Sequence, residues 1–285
     1  MNTARDLADR FDLKRSRHGW RGNCPACGYA GTFSIREGRS DRPMLWCASC
    51  NDTAAIALAV SGAAAAPLPC HNPRTEAEAK ARKQSRATAI WNGSGPVMNT
   101  PAALYLIARG LGFLAGSAAL RYRVDTPHPE GGRYVALIAL VSDATGAPMA
   151  VHRTYLRPNG TKANLDPVKA SLGPVWGGAI RLSPLMRDRP VLIGEGIETA
   201  ASAGHLMGLP AWAAISAGNL AKGLVLPPEA RRVCIAADPD RPGREAARAA
   251  WLRWRAEGRD VTIATPTGEG DFNDVLICQG GRNGG

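Results

Sequence analysis

No stretch of the 285 residues is apolar for the roughly 20 positions that a bilayer requires. The nearest approach, Ala54 to Pro69, is mostly alanine and is broken at Ser61 and Gly62, so it reads as a helix end and a linker. The amino terminus, Met1 to Phe11, lacks the uncharged core of a secretory signal, because Arg5, Asp6, Asp9 and Arg10 interrupt it. The expected localisation is cytoplasmic, in association with the nucleoid. A Gly-x-x-x-x-Gly-Lys-Ser/Thr loop is missing, which excludes a P-loop ATPase, and with it any helicase motif, from this chain. Acidic residues are scarce over residues 1–189, where 25 Lys/Arg face 13 Asp/Glu, while residues 190–285 carry 10 against 11. That asymmetry suits a polyanion-binding surface joined to a unit with clustered acids; the alternative is an Arg- and Ala-rich composition without functional meaning.

Seven cysteines cannot all pair, and four of them lie in two C-x-x-C turns, which in a reducing compartment points to metal rather than disulfides. Cys24-Pro-Ala-Cys27 and Cys47-Ala-Ser-Cys50 are separated by 19 residues. Two such knuckles supply the four thiolates that a structural Zn²⁺ takes tetrahedrally. The stretches 32–35 and 44–46 between them read as a hairpin. Arg36, Arg39 and Arg42 beside Trp20, Phe33 and Trp46 offer charge for phosphates and rings for base stacking, or else the rings form only the small core of the module. Cys70 and His71, in a linker from Gly62 to Pro73, have no visible partner pair.

The middle of the chain begins helically, over 75–91 and again from Pro101, a good first helical residue, to a stop at Gly110. The period then changes to strands at 134–141 and 149–156, the second ending at a Pro158-Asn-Gly160 turn. His152 and Arg153 lie on that strand, and Lys162 and Lys169 are expected in a following loop. They read equally as a surface for template backbone or triphosphate and as a solvated face.

From Pro190 onward, strands at 191–193, 211–215, 232–237 and 261–265 alternate with helices at 198–207 and 243–257, which is the grammar of a parallel sheet. Glu195, Asp238, Asp240, Asp271 and Asp274 stand just past apolar runs, and the ends of parallel strands are where such acids converge. Asp240 alone would pass as a helix cap next to Pro242, but Asp238 two residues earlier would repel it unless a cation held both. The expected ion is Mg²⁺ or Mn²⁺.

Glu195 in Gly-Glu-Gly, followed by Asp238-x-Asp240 after the next hydrophobic strand block, resembles the Toprim domain shared by bacterial-type primases, topoisomerases and some nucleases. Asp271-Phe-Asn-Asp274 resembles the third acidic motif of phage-type primases, and the zinc ribbon with a basic linker resembles their amino-terminal half. One position departs: Thr199 stands where replicative primases often carry an aspartate, with Glu198 one residue earlier. The resemblance implies an α/β chain with a zinc ribbon at 1–60, linker and helices at 61–118, a small mixed α/β basic unit at 119–189 and a Toprim-type parallel sheet flanked by helices at 190–285. It further implies a primase, a nucleotidyltransferase that joins ribonucleoside triphosphates on single-stranded DNA for phage, plasmid or mobile-element replication, with a separate replicative helicase as partner. Glu195, Asp238, Asp240 and Asp271 would then be the catalytic and magnesium-binding set, with Glu198 and Asp274 as further candidates. Arg36, Trp46, His152, Arg153, Lys162 and Lys169 would meet nucleic acid or nucleotide. A metal-dependent nuclease and a non-catalytic single-stranded DNA-binding factor are the alternatives.

Overall fold

The computed structural model describes residues 3–16, 19–38, 42–50, 52–61, 73–267 and 270–282. The expectations at Arg39, Cys70, His71 and the linker 62–72 lie outside them. Two compact units emerge, Met1–Glu76 and Ala77–Gly285.

The first unit opens with α1 (Ala4–Arg10), started by a capping box in which Thr3 Oγ1 accepts from the Asp6 N–H and Asp6 Oδ2 accepts from the Thr3 N–H. A four-stranded antiparallel sheet follows, β1 (Lys14–Ser16), β2 (Gly19–Gly22), β3 (Phe33–Glu37) and β4 (Pro43–Cys47), in chain order, and then α2 (Thr53–Ser61). The sequence disclosed only the β3–β4 hairpin. Leu7, Leu13, Trp20, Phe33, Ile35, Ile56 and Val60 form the core. This is a small apolar store for a unit of this size.

In the second unit, α3 (Pro73–Asn92) and α4 (Pro101–Ala108) precede an antiparallel sheet of β5 (Leu120–Pro127), β6 (Arg133–Ser142), β7 (Pro148–Tyr155) and β8 (Lys169–Leu172). Lys169 therefore opens a strand paired with β7 instead of lying in a loop. One face of this sheet, with Ile138, Val151 and Tyr155, packs Ala87, Ile90 and Trp91 of α3. Residues pointing to the other face, Leu137, Ala139, Val141 and Ala150, join a core that includes Tyr105 and Leu106 of α4 and Ile197, Ala200 and Ala201 further along the chain.

The remaining segments are β9 (Ile180–Arg181), β10 (Val191–Gly194), α5 (Ile197–Met207), β11 (Ala211–Ala213), a π-helical turn at Asn219–Gly223, β12 (Arg232–Ala236), α6 (Arg241–Ala256), β13 (Asp260–Ala264) and α7 (Phe272–Arg282). The sheet runs β13-β12-β10-β11-β9, parallel except for β9 at the edge. The chain leaves β10 toward one edge, to β11, and leaves β12 toward the other, to β13. Right-handed crossovers then place α5 and α6 on opposite faces, and the topological switch point falls between β10 and β12.

Candidate active site

The switch point is where the acids stand. Gly194 pairs with Ala236, and Ala236 with Ala264, so β10, β12 and β13 end level with one another. Glu195 comes one residue after β10, Asp238 two after β12, and Asp271 in the loop before α7. Gly194 lies so close to α5 that a Cβ there would come within 2.8 Å of the Ala200 backbone. Gly243 is equally constrained, since its Cβ would meet the Asp238 Cβ and Asp240 Oδ1, both at 2.8 Å. Beside Glu195, β11 ends two residues short of the expected 215 because Ile215 turns into the left-handed region at φ 77°. A β-branched residue adopts that region only under strain. Its N–H donates to the Glu195 carbonyl at 2.8 Å, fixing the backbone of the motif residue.

Each of the three aspartates has one carboxylate oxygen held by the protein. Asp238 Oδ1 accepts from the Thr199 hydroxyl at 2.9 Å, and Asp240 Oδ1 caps α6 by accepting from the Gly243 N–H at 2.7 Å. Asp271 Oδ1 accepts from the N–H groups of Asn273 and Asp274 at the start of α7. The Oδ2 atoms of Asp238, Asp240 and Asp271 take part in no hydrogen bond or ion pair among the described residues, so each is an oriented, single-oxygen donor. Asp274 turns back instead, its Oδ2 accepting from the Asp271 N–H at 3.0 Å. Burial raises the pKa of Asp238, and the charges of Asp240, Asp271 and Glu198 raise it further, against the Thr199 hydrogen bond. The carboxylates thus sense one another, but among the described residues only the four cysteines bring three or more ligand atoms within 4.8 Å. Capping draws Asp240 and Asp271 toward their own helices. Hard oxygen donors, singly fixed and mutually repelling, fit a divalent cation such as Mg²⁺.

Glu198 follows a different course from these acids. Its carboxylate accepts from Lys169 Nζ at 2.8 and 3.0 Å and from the Tyr105 hydroxyl at 2.5 Å, with Lys162 Nζ at 3.8 Å. Burial pushes this carboxyl up, but Lys169 and Tyr105 outweigh burial and hold it down at about 2. Tyr105 was invisible as a partner in the sequence, where it reads as one apolar position of α4. Lys162 and Lys169 are thereby gathered beside the acidic site. His152 lies on the same side of β7, its Nδ1 2.9 Å from Ser171 Oγ; burial and the nearby Lys169 bring its pKa down to about 4. Arg153, the adjacent residue, faces the other way. It is 4% exposed, and its guanidinium donates to the carbonyls of Ala170, Pro127 and Ser171, with Tyr155 alongside. The expectation of Arg153 as a nucleic-acid contact is corrected: every second residue of a strand points to the opposite face, and here that face belongs to α3.

In the first unit the Sγ atoms of Cys24, Cys27, Cys47 and Cys50 all lie within 4.8 Å of one another, with Cys24 to Cys50 at 4.0 Å and Cys27 to Cys47 at 3.8 Å. Tetrahedral thiolates bonded at about 2.3 Å stand about 3.8 Å apart, so the cluster has the dimensions of a zinc site. Hydrogen bonds to Cys47, from Cys24 first and also from the Thr32 hydroxyl, favour its thiolate. Trp20 and Phe33 are buried core residues, which for these two rings favours the small-core reading over base stacking. Arg36 and Trp46 remain on the outer sheet face, Trp46 about half exposed, and the register aligns Lys14, Arg21, Ser34 and Trp46 across all four strands.

Residues 190–282 match the Toprim domain family, and residues 81–182 match a family described only as a domain of unknown function. Residues 190–282, the last third of the chain, accordingly form a Toprim domain. Curated proteins yield no match. Solved structures to which the chain is similar include the zinc-binding and RNA polymerase domains of the Aquifex aeolicus primase, at 13% identity over 99% of this chain and 81% of that one, with a TM-score of 0.47. The DnaG primase catalytic domain bound to single-stranded DNA is similar at 14% identity over 71% and 79%, TM-score 0.47. The primase fragment of the bacteriophage T7 primase-helicase is similar at 13% over 92% and 95%, TM-score 0.44. No helix among the described residues is long and apolar enough to cross a membrane.

Proposed function

We propose that this chain is a DNA primase: on a single-stranded template it joins ribonucleoside triphosphates into short primers, releasing pyrophosphate. The observation that carries this reading is the placement of the Toprim acids at a sheet switch point, with two lysines paired to Glu198, the residue next to the Thr199 that holds Asp238. Asp238, Asp240 and Asp271, with Glu195, would hold Mg²⁺ or Mn²⁺, which when bound neutralises phosphate charge and makes a 3′-hydroxyl more acidic. The protein's own part is orientation. Thr199, the Gly243 N–H and the cap of α7 fix one oxygen of each aspartate, leaving the other oxygen of each for a ligand, and a shared ion would draw the three carboxylates closer together. Glu195 is either a fourth ligand or the base at the hydroxyl. Lys162 and Lys169 supply positive charge for the triphosphate, and burial lowers the Lys162 pKa, with Lys169 as the next cause.

The four thiolates would hold a structural Zn²⁺, and the outer ribbon face with Lys14, Arg21, Arg36 and Trp46 would meet template backbone and bases. A separate helicase would open the duplex, and mobile-element replication is the expected setting. Incubation with a single-stranded template, labelled ribonucleotides and Mg²⁺ tests the reading: RNA oligomers support it, whereas a shortened template identifies a nuclease and unchanged strands a binding factor.

A further inference from the structure

The carboxylate of Glu198 occupies a site built for an anion. It lies in the first turn of α5, where its own backbone N–H hydrogen-bonds it, and three side chains from three other parts of the chain converge on it, two donating hydrogen bonds and Lys162 forming an ion pair at 3.8 Å. Tyr105 comes from α4, Lys162 from the segment between β7 and β8, and Lys169 from β8. The Arg109 guanidinium lies 5.8 Å from the centre of the Tyr105 ring, adding a further cation nearby. Helix amino termini ringed by cations favour anions, phosphate groups among them. One carboxylate does not balance Lys162 and Lys169, and the lysine side chains remain about a third exposed, against 14% for Glu198. Solvent therefore reaches the cations while the internal anion stays covered. The adjacent residue, Thr199, holds Asp238, so the anion site lies one residue along α5 from the acidic site.

We propose that Glu198 is an internal competitor for polyphosphate: its carboxylate occupies Tyr105, Lys162 and Lys169 until the phosphate tail of a nucleoside triphosphate displaces it and takes over the three side chains. This deepens the primase reading, on which the identity of the physiological ligand rests. It gives the departure at Thr199 and Glu198 a purpose, because the acid has moved one position and serves the lysines instead of the metal. A salt bridge that merely fastens β8 to α5 would have the same contacts but would not compete with a soluble anion.

The test is calorimetric titration of the full, zinc-loaded chain with inorganic tripolyphosphate at low salt and without divalent ions. Glu198→Gln is expected to bind on the order of tenfold more tightly than the unsubstituted chain, with the gain shrinking as salt is added. Lys169→Met in the Glu198→Gln background is expected to abolish the gain. Equal or weaker binding by folded Glu198→Gln overturns the proposal, as does a gain that survives Lys169→Met. If Glu198→Gln fails to fold, Glu198→Asp, which withdraws the carboxylate by one methylene, is expected to show a smaller gain, and no gain overturns it. Primer synthesis is measured separately. Tighter tripolyphosphate binding without any primers would remove the primase reading and leave the anion site, while primers without tighter binding would remove only the competitor.

Discussion

The hydroxyl of Thr199 donates to Asp238 Oδ1 across 2.9 Å, joining the first turn of α5 to the loop after β12. This bond fixes a half-buried aspartate and lowers a pKa that burial and its acidic neighbours raise. Thr199→Val keeps the shape and removes the donor. Its expected effect is a loss of roughly fivefold in primer synthesis, in line with about 1 kcal/mol for one hydrogen bond. The acid limb of the pH–rate profile is expected to move to higher pH, because Asp238 would then hold its proton more tightly. An unchanged limb would show that Asp238 ionisation does not govern the rate.

Asp238 also sets a stability cost. A carboxyl whose pKa is raised in the fold favours folding when protonated, and this contribution is lost as the pH rises through the folded-state value. At neutral pH without divalent ions, Asp238→Asn is therefore expected to melt on the order of 2–4 °C higher than the unsubstituted chain, the shift that about 1 kcal/mol produces in a unit of this size. Mg²⁺ is expected to raise the unsubstituted chain and leave the variant unmoved. Scanning calorimetry with and without Mg²⁺ decides it.

The parallel half of the fold could be read from the sequence. Strands β10, β12 and β13 and helices α5 and α6 fall within two residues of their expected bounds, since short apolar runs are punctuated there by Gly, Pro and Asp. Strands β1 and β8 were missed because Lys14–Ser16 and Lys169–Leu172 are short and contain no fully buried residue. The orientation of β7 was not legible at all: which of His152 and Arg153 faces the acids depends on what packs against each side of the sheet, a property of tertiary structure. Thr199 was noticeable as a departure from an acidic pattern, but its bond to Asp238 requires the β10–β12 pairing to be known.

His152 is a neutral histidine in the fold, with its pKa brought from 6.5 to about 4 by burial and by Lys169. The unfolded chain binds more protons between those values, so this group lowers stability as the pH falls through that window. His152→Gln should remove up to about 3 kcal/mol of the acid-induced loss between pH 6.5 and pH 4. Urea denaturation at a series of pH values measures it; parallel curves for the two proteins would refute the assignment.

The four-thiolate cluster should be a structural requirement of the first unit. Native mass spectrometry is expected to find one zinc per chain, and none in Cys47→Ser, whose first unit should be protease-sensitive because its apolar core is small. Retention of zinc by that variant would argue against tetrathiolate binding.

The convergence of acids at the switch point is tested most directly by electron paramagnetic resonance of Mn²⁺ titrated into the zinc-loaded chain. The expected result is saturable Mn²⁺ binding that weakens at least tenfold in Asp238→Asn and in Asp271→Asn and is displaced by Mg²⁺. Equal Mn²⁺ binding by the unsubstituted chain and both variants would contradict a shared metal site and, with it, the proposed chemistry.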